Sequence, residues 1–236
     1  MIVSDVLPAN WRDFLSRDHR KLGLGVDPAT TTKKKSNPSS IALIQQVGLS
    51  YFVRLLLKFK TSDDRVTTAI IKEIVTGLPH GLKCRRCCIL ATNERFYASA
   101  LKRAMSGIVP VELVIESEAT QYLGEKMLFK SYLGNQLVNT IEDGYLPLPD
   151  EPWVKADIRQ VVRDKGTFTA EVDEWGSHAD GFCAIGAGLH AIIGRGGPAQ
   201  ASATEVGDFG ATGKPNIGWK NPFYSKFQNT GAKVHA

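Results

Sequence analysis

The run LGLGVDP at residues 22–28 decides the fold. Leu22, Leu24 and Val26 alternate with glycines, the period-two pattern of a strand, and the strand ends at Asp27 because Pro28 cannot extend a hydrogen-bonded ladder. A carboxylate is thereby set at the carboxyl end of a strand, the sheet edge where sites form in α/β proteins. Asp27 also has a plain reading, as the first half of a turn-forming Asp-Pro pair.

Working outward, TTTKKKSNPSS (30–40) is a basic, turn-rich connection into two apolar, partly β-branched runs, IALIQQV (41–47) and YFVRLLLKF (51–59), separated by Gly48-Leu49-Ser50. That is a hairpin, so three antiparallel strands open the domain. The period then changes. TSDDRVTTAIIKEIVTGLP (61–79) has Ser62 or Asp63 to cap a helix, Val66, Ala69, Ile70 and Ile74 on one face, and Gly77 and Pro79 to stop it. CRRCCILAT (84–92) reads as a strand. In NERFYASALKRAMSG (93–107), Asn93 is a capping residue and Phe96, Ala100, Leu101, Ala104 and Met105 form a helical stripe. VPVELVIES (109–117) is a further strand, and residues 118–144 read as one long, partly amphipathic helical stretch ending before Gly144. Repeated strand and helix imply parallel strands covered by helices.

A helix is expected from Pro152 to Arg163, a short exposed strand in GTFTAEVDEW (166–175), and a final helix in SHADGFCAIGAGLHAII (177–193), where Phe182, Ile185, Leu189 and Ile192 share a face. The alanines and glycines between them allow close packing on a sheet. From Gly194 onward there are eight glycines and no amphipathic period, so 194–236 reads as a glycine-rich tail.

Composition sets the limits. The chain has 236 residues, 43% of them apolar, enough to bury a core without disulfides. Twenty-nine basic against 24 acidic residues leave a net +5, a mild excess compatible with an anionic partner. Three of the four cysteines crowd at Cys84, Cys87 and Cys88, unlike the paired framework of a secreted domain, which points to a reducing compartment. Nothing approaches the roughly 20 apolar residues of a membrane span.

Two motifs lead nowhere. GDFGATGKP (207–215) has Asp208 where a phosphate-binding loop requires glycine and Pro215 where it requires Ser or Thr. Cys84, Cys87 and Cys88 include a Cys-x-x-Cys spacing, but only the distant Cys183 remains for a second pair, so buried cysteines without zinc are expected.

Acids fall at the ends of several elements. Asp27 closes the first strand, Glu94 follows the strand 84–92, Glu116 and Glu118 follow VELVI, and Asp180 starts the last helix two residues after His178. Each alone has a structural reading, as a solvated loop acid or a helix-start acid. Together they are the oxygen-rich, sequence-distant set that two divalent cations about 4 Å apart require.

The order of elements, with GVDPA at 25–29, HADGFCAIGAGLHA at 178–191 and the approach DGYLPLPDEPWVKADIRQVVRDKGTF at 143–168, resembles the RNase H-like nuclease domain of the large terminase subunit of tailed bacteriophages. The resemblance covers residues 21–193, after a leader of residues 1–20 and before the tail 194–236. It implies an α/β fold with an RNase H-like mixed central sheet, antiparallel hairpin strands first and parallel strands after, flanked by helices. It implies a metal-dependent endonuclease that cuts concatemeric double-stranded DNA during genome packaging, with two Mg²⁺ or Mn²⁺ ions. Asp27 matches the family's first-strand ligand and Asp180 its late-helix ligand. Glu94, at the strand-to-helix junction, is the candidate for the middle acid, with Glu116, which ends the adjacent strand, in reserve; the family often carries an Asp nearer the strand end, where this chain departs with Leu90, Ala91, Thr92 and Asn93. His178 joins the catalytic set as a group that steers water or contacts phosphate, against an equal reading as a capping or core histidine. Lys33, Lys34 and Lys35 would meet the DNA backbone.

The family pairs this nuclease with an N-terminal packaging ATPase, so the resemblance implies a C-terminal part that starts at an introduced Met1. Portal and small terminase subunit are the implied partners, with the aromatic residues Phe209, Trp219, Phe223, Tyr224 and Phe227 of the tail as a portal-docking arm, and host cytoplasm during viral assembly is the implied location. The same fold also serves resolvases and transposases, and a non-catalytic packaging interaction domain is the alternative of a different class.

Overall fold

The run 22–28 forms the central strand of a mixed sheet, β1 (Leu22–Asp27), in a computed structural model that describes residues 2–17, 21–30, 37–164, 166–171 and 178–194. Antiparallel to β1 lies β2 (Ser39–Val47), and antiparallel to that β3 (Ser50–Phe59); on its other side β1 pairs in parallel with β4 (Cys84–Leu90), and β4 with β5 (Val111–Val114). The order is therefore β3-β2-β1-β4-β5, the expected mixed sheet with its hairpin first and its parallel strands after. Because β3, β1, β4 and β5 run the same way, their carboxyl ends meet on one rim.

Side-chain alternation divides the sheet into two faces. Leu22, Leu24, Val26, Ile41, Leu43, Leu55 and Leu57 point to one face, where α2 (Asp64–Thr76) buries Ile70, Ile71 and Ile74 and α3 (Arg95–Ala104) buries Ala98 and Leu101. Asp63 caps α2 by accepting the Arg65 N–H at 2.9 Å. The N-terminal residues join this face: a short helix α1 (Val3–Val6) and a 3-10 turn (Trp11–Phe14) bring Leu7, Trp11 and Leu15 into the core. The segment read as a leader thus supplies one of the largest fully buried side chains, Trp11.

The opposite face is covered by α6 (Asp180–Ile193), backed by α4 (Phe129–Glu142) and α5 (Pro152–Arg159). The glycines of β1 make this possible. A Cβ on Gly23 would lie 2.5 Å from the Gly188 carbonyl oxygen, and one on Gly25 would overlap the Ala184 carbonyl and the Gly188 amide. Only a side-chain-free stripe lets the helix backbone descend onto the strand. The helix then runs along β1 with its first residue, Asp180, at the rim where Asp27 ends the strand.

Four readings change. Residues 119–128 form a hairpin, β6 (Ala119–Tyr122) and β7 (Glu125–Leu128), before α4 begins, so only the second half of the long stretch is helical. Helix α5 ends at Arg159, and Val161–Asp164 forms β8, paired with β9 (Thr167–Ala170), because the β-branched pair Val161-Val162 favours strand over continued helix. Glu94, not Asn93, occupies the cap of α3, without a side-chain capping bond. Phe96 leaves the buried stripe and is 94% exposed. The chain divides into two compact units, Met1–Gly197 and Pro198–Ala236; the second, and all of the tail after Gly194, lies outside the described residues, as do Lys33, Lys34 and Lys35.

Candidate active site

The rim gathers acids from four elements. Asp27 closes β1, Glu116 follows β5, Asp180 opens α6, and Asp157 projects from α5. Burial pushes the Asp27 carboxyl well above the usual carboxylate range, and the charges of Asp180, Glu116 and Asp157 push it further, while Lys58 partly offsets them. The Cys183 thiol, one turn into α6, is raised by burial and then by the charges of Asp27, Glu116 and Asp180. Asp27 and Cys183 therefore both feel Glu116 and Asp180, and Cys183 also feels Asp27, so the three acids share one neighbourhood.

The two glutamates are held from behind by threonines. Thr92, beyond β4, donates its hydroxyl to Glu116 Oε2 at 3.2 Å and accepts the Glu116 N–H at 2.9 Å, which ties the end of β5 to the end of β4. Glu94 accepts the Thr30 hydroxyl at 3.0 Å and so joins the loop after Asp27 to the start of α3. Asp180 is 3% exposed and follows Ala179, whose φ of 60° lies in the left-handed region, so the chain turns sharply into α6. His178 is exposed on the rim of a recess whose wall also includes Glu116, Lys130, Phe168, Phe182 and Cys183.

Sequence reading missed Asp157 and Lys58. Asp157 is 3% exposed and accepts the Phe182 N–H at 3.0 Å through Oδ2, while its Oδ1 pairs with the Lys58 ammonium; Lys58 Nζ also lies 4.0 Å from Asp180 Oδ2. The signal was an acid on the buried stripe of an amphipathic helix, one turn after Val154, which is 1% exposed. For Lys58 it was position: β3 runs parallel to β1, so its last residues reach the same rim.

No family model matches the chain and no curated protein matches it in sequence. Solved structures do match. A mutant nuclease domain of the large terminase subunit of bacterial virus Sf6, with manganese and beta-thujaplicinol, aligns at a TM-score of 0.51 and 13% identity over 80% of this chain and 99% of that one. The large terminase nuclease from thermophilic phage G20c with bound magnesium aligns at a TM-score of 0.50 and 13% identity, over 73% of this chain and 82% of that one. The fold is that of the terminase nuclease domains.

Within this terminase-nuclease fold, a second polar cluster lies farther along α6, away from the rim. His190, ten residues after Asp180, approaches Glu112 Oε1 at 3.2 Å through Nε2, and Tyr132 Oη lies 2.9 Å from its Nδ1. Cys88, Glu112 and His190 stand close enough to share a metal ion. Arg86 already occupies that position electrostatically: its Nη1 is 2.6 Å from Glu112 Oε2, and its Nη2 donates to the carbonyls of His190 and Gly194. The cluster reads as a buried ion-pair network that ties β4, β5, α4 and α6 together.

Proposed function

We propose that this chain is the metal-dependent DNA endonuclease domain of a viral genome-packaging terminase, acting on concatemeric double-stranded DNA. The observation that carries the reading is the convergence of Asp27, Glu116 and Asp180 on one rim of a terminase-nuclease fold. The residues suit the metal: hard carboxylate oxygens, buried at Asp180 and partly exposed at Asp27 and Glu116, with more negative charge than one lysine balances, are what Mg²⁺ or Mn²⁺ selects. When bound there, two such ions would supply the Lewis acidity that activates water for in-line attack on a phosphodiester and stabilises the departing 3′ oxygen.

Asp27 and Asp180 are the first two ligands. For the third, the charges acting on Asp27 support Glu116, fixed by Thr92, while Glu94, bonded to Thr30, braces the loop that follows Asp27. The recess beside Glu116 gives the substrate a place to lie: Lys130 offers a cation to a phosphate, and His178 on the rim is placed to contact phosphate or pass a proton. In the intact protein, a packaging ATPase, the portal and the small terminase subunit are the partners this reading assigns.

Supercoiled plasmid incubated with the chain and Mn²⁺ should be nicked and linearised, and chelator should stop it. Asp27→Ala and Asp180→Ala should lose at least about 100-fold of the rate, Glu116→Gln nearly as much, and Glu94→Gln much less. An intact plasmid, or normal cutting by both aspartate variants, refutes the assignment; a larger loss in Glu94→Gln than in Glu116→Gln exchanges the roles of those two acids.

A further inference from the structure

On the face beneath α6, Asp27, Ser40 and Lys58 stand in one row across three strands: Asp27 is in register with Ser40, and Ser40 with Lys58. Adjacent strands lie about 4.8 Å apart, so the Lys58 backbone is about 10 Å from that of Asp27, a gap that a four-carbon stem and an aspartate side chain span between them. The ammonium acts on Asp27 through its charge. It pairs with Asp157 and lies 4.0 Å from Asp180, with only 21% of the lysine side chain exposed and 3% and 4% of the two aspartates.

This placement is built in. Asp157 uses its second oxygen to accept the Phe182 N–H in the first turn of α6, and a Cβ on Gly181 would meet that oxygen at 2.7 Å, so glycine is required for α5 to present the carboxylate there. The Lys58 ammonium also lies 5.7 Å from the ring centroid of Trp153 on α5, a second favourable surface for a cation. An ammonium withdrawn from Asp180 therefore keeps Asp157 and Trp153 as partners, and has a short path rather than a new environment to find.

We propose that Lys58 is an internal counter-cation of the metal site, bridging Asp157 and Asp180 in the metal-free protein and giving up Asp180 when a divalent cation binds. Metal loading is then an exchange of one cation for another, and Asp157 is the anchor that retains the lysine. The proposal rests on the reading of Asp27, Glu116 and Asp180 as metal ligands, and adds what sets the affinity of that site. Two consequences follow from charge alone. Without Lys58 the carboxylates repel one another in the metal-free protein, which loses stability. A metal ion, no longer obliged to displace a positive charge, binds more tightly.

The test is calorimetric titration of the full 236-residue chain with Mn²⁺ alone, without DNA, for wild type, Lys58→Met and Lys58→Arg, together with melting temperatures in chelator and in Mn²⁺. Lys58→Met should bind Mn²⁺ at least about tenfold more tightly than wild type, melt lower in chelator, and regain the difference in Mn²⁺. Lys58→Arg, which keeps the charge, should bind within about threefold of wild type. Equal or weaker Mn²⁺ binding by Lys58→Met overturns the exchange. If wild type binds no Mn²⁺ that Asp27→Asn and Asp180→Asn abolish, the metal-site reading itself falls, a result distinguishable because it does not depend on position 58. Should Lys58→Met not fold in chelator, Lys58→Gln purified in Mn²⁺ and titrated by exchange against a chelator of known affinity gives the same comparison.

Discussion

Gly25 on β1 and Gly188 on α6 face each other with no side chain between the strand and the helix. A Cβ on Gly188 would sit 3.3 Å from the Gly25 amide nitrogen and 2.7 Å from the Ile44 side chain. This contact sets how far Asp180 stands from Asp27, since one is the first residue of the helix and the other the last of the strand. Gly25→Val should therefore push α6 off the sheet, costing about 3 kcal/mol or more by overpacking. Urea denaturation checks the stability and Mn²⁺ titration the site; a variant that keeps both would show that the glycine stripe does not position the metal ligands.

Asp27 gives the metal-free protein an inverted pH dependence. Its carboxyl is raised above its unfolded value by burial and by Asp180, Glu116 and Asp157. The folded state therefore holds the proton more tightly than the unfolded chain, which titrates near 4. The associated stability is present below that value and is lost as pH rises through the folded one. In chelator, the melting temperature should carry a component that falls from the ordinary carboxylate range upward, and Asp27→Asn should remove it. Metal affinity should rise over the same window, because the ion requires the carboxylate. A flat profile identical in both proteins would contradict the raised value.

Leu123 explains why the β6–β7 hairpin escapes sequence reading. Its φ is 52° and it is 83% exposed, so a leucine holds a left-handed turn position that Asn, Asp or Gly usually fills. Without that turn signal, the apolar residues Tyr122, Met127 and Leu128 read as a continuation of the helix. Leu123→Asn should stabilise the domain by about 0.5–1 kcal/mol, measured by urea unfolding. Destabilisation would mean that the leucine makes contacts its exposure does not suggest.

The rest of the fold was legible where one element decides the matter, and illegible where two elements meet. Asp27 and Asp180 are visible because a proline ends a strand and a small-residue period starts a helix. Asp157 is not, because its role depends on Gly181 admitting it against a neighbouring helix. Lys58 becomes readable only once β3 is known to run parallel to β1. The choice between Glu94 and Glu116 likewise turns on which residue Thr92 and which Thr30 engages, a matter of side-chain direction rather than spacing.

Arg86 and Glu112 test whether the inner cluster is a structural network or a metal site. Arg86 has 5% of its side chain exposed and Glu112 32%, and their contact is 2.6 Å. Glu112→Gln takes the carboxylate away from a buried guanidinium that also donates to the carbonyls of His190 and Gly194, and should cost about 3 kcal/mol. Arg86→Met combined with Glu112→Gln should cost less than the two single losses added, because the double variant buries no uncompensated charge. Cys88→Ser should leave the response to added Zn²⁺ unchanged, since the guanidinium holds the place a cation would take. A melting temperature that rises with Zn²⁺ in wild type but not in Cys88→Ser would instead make Cys88, Glu112 and His190 a metal site.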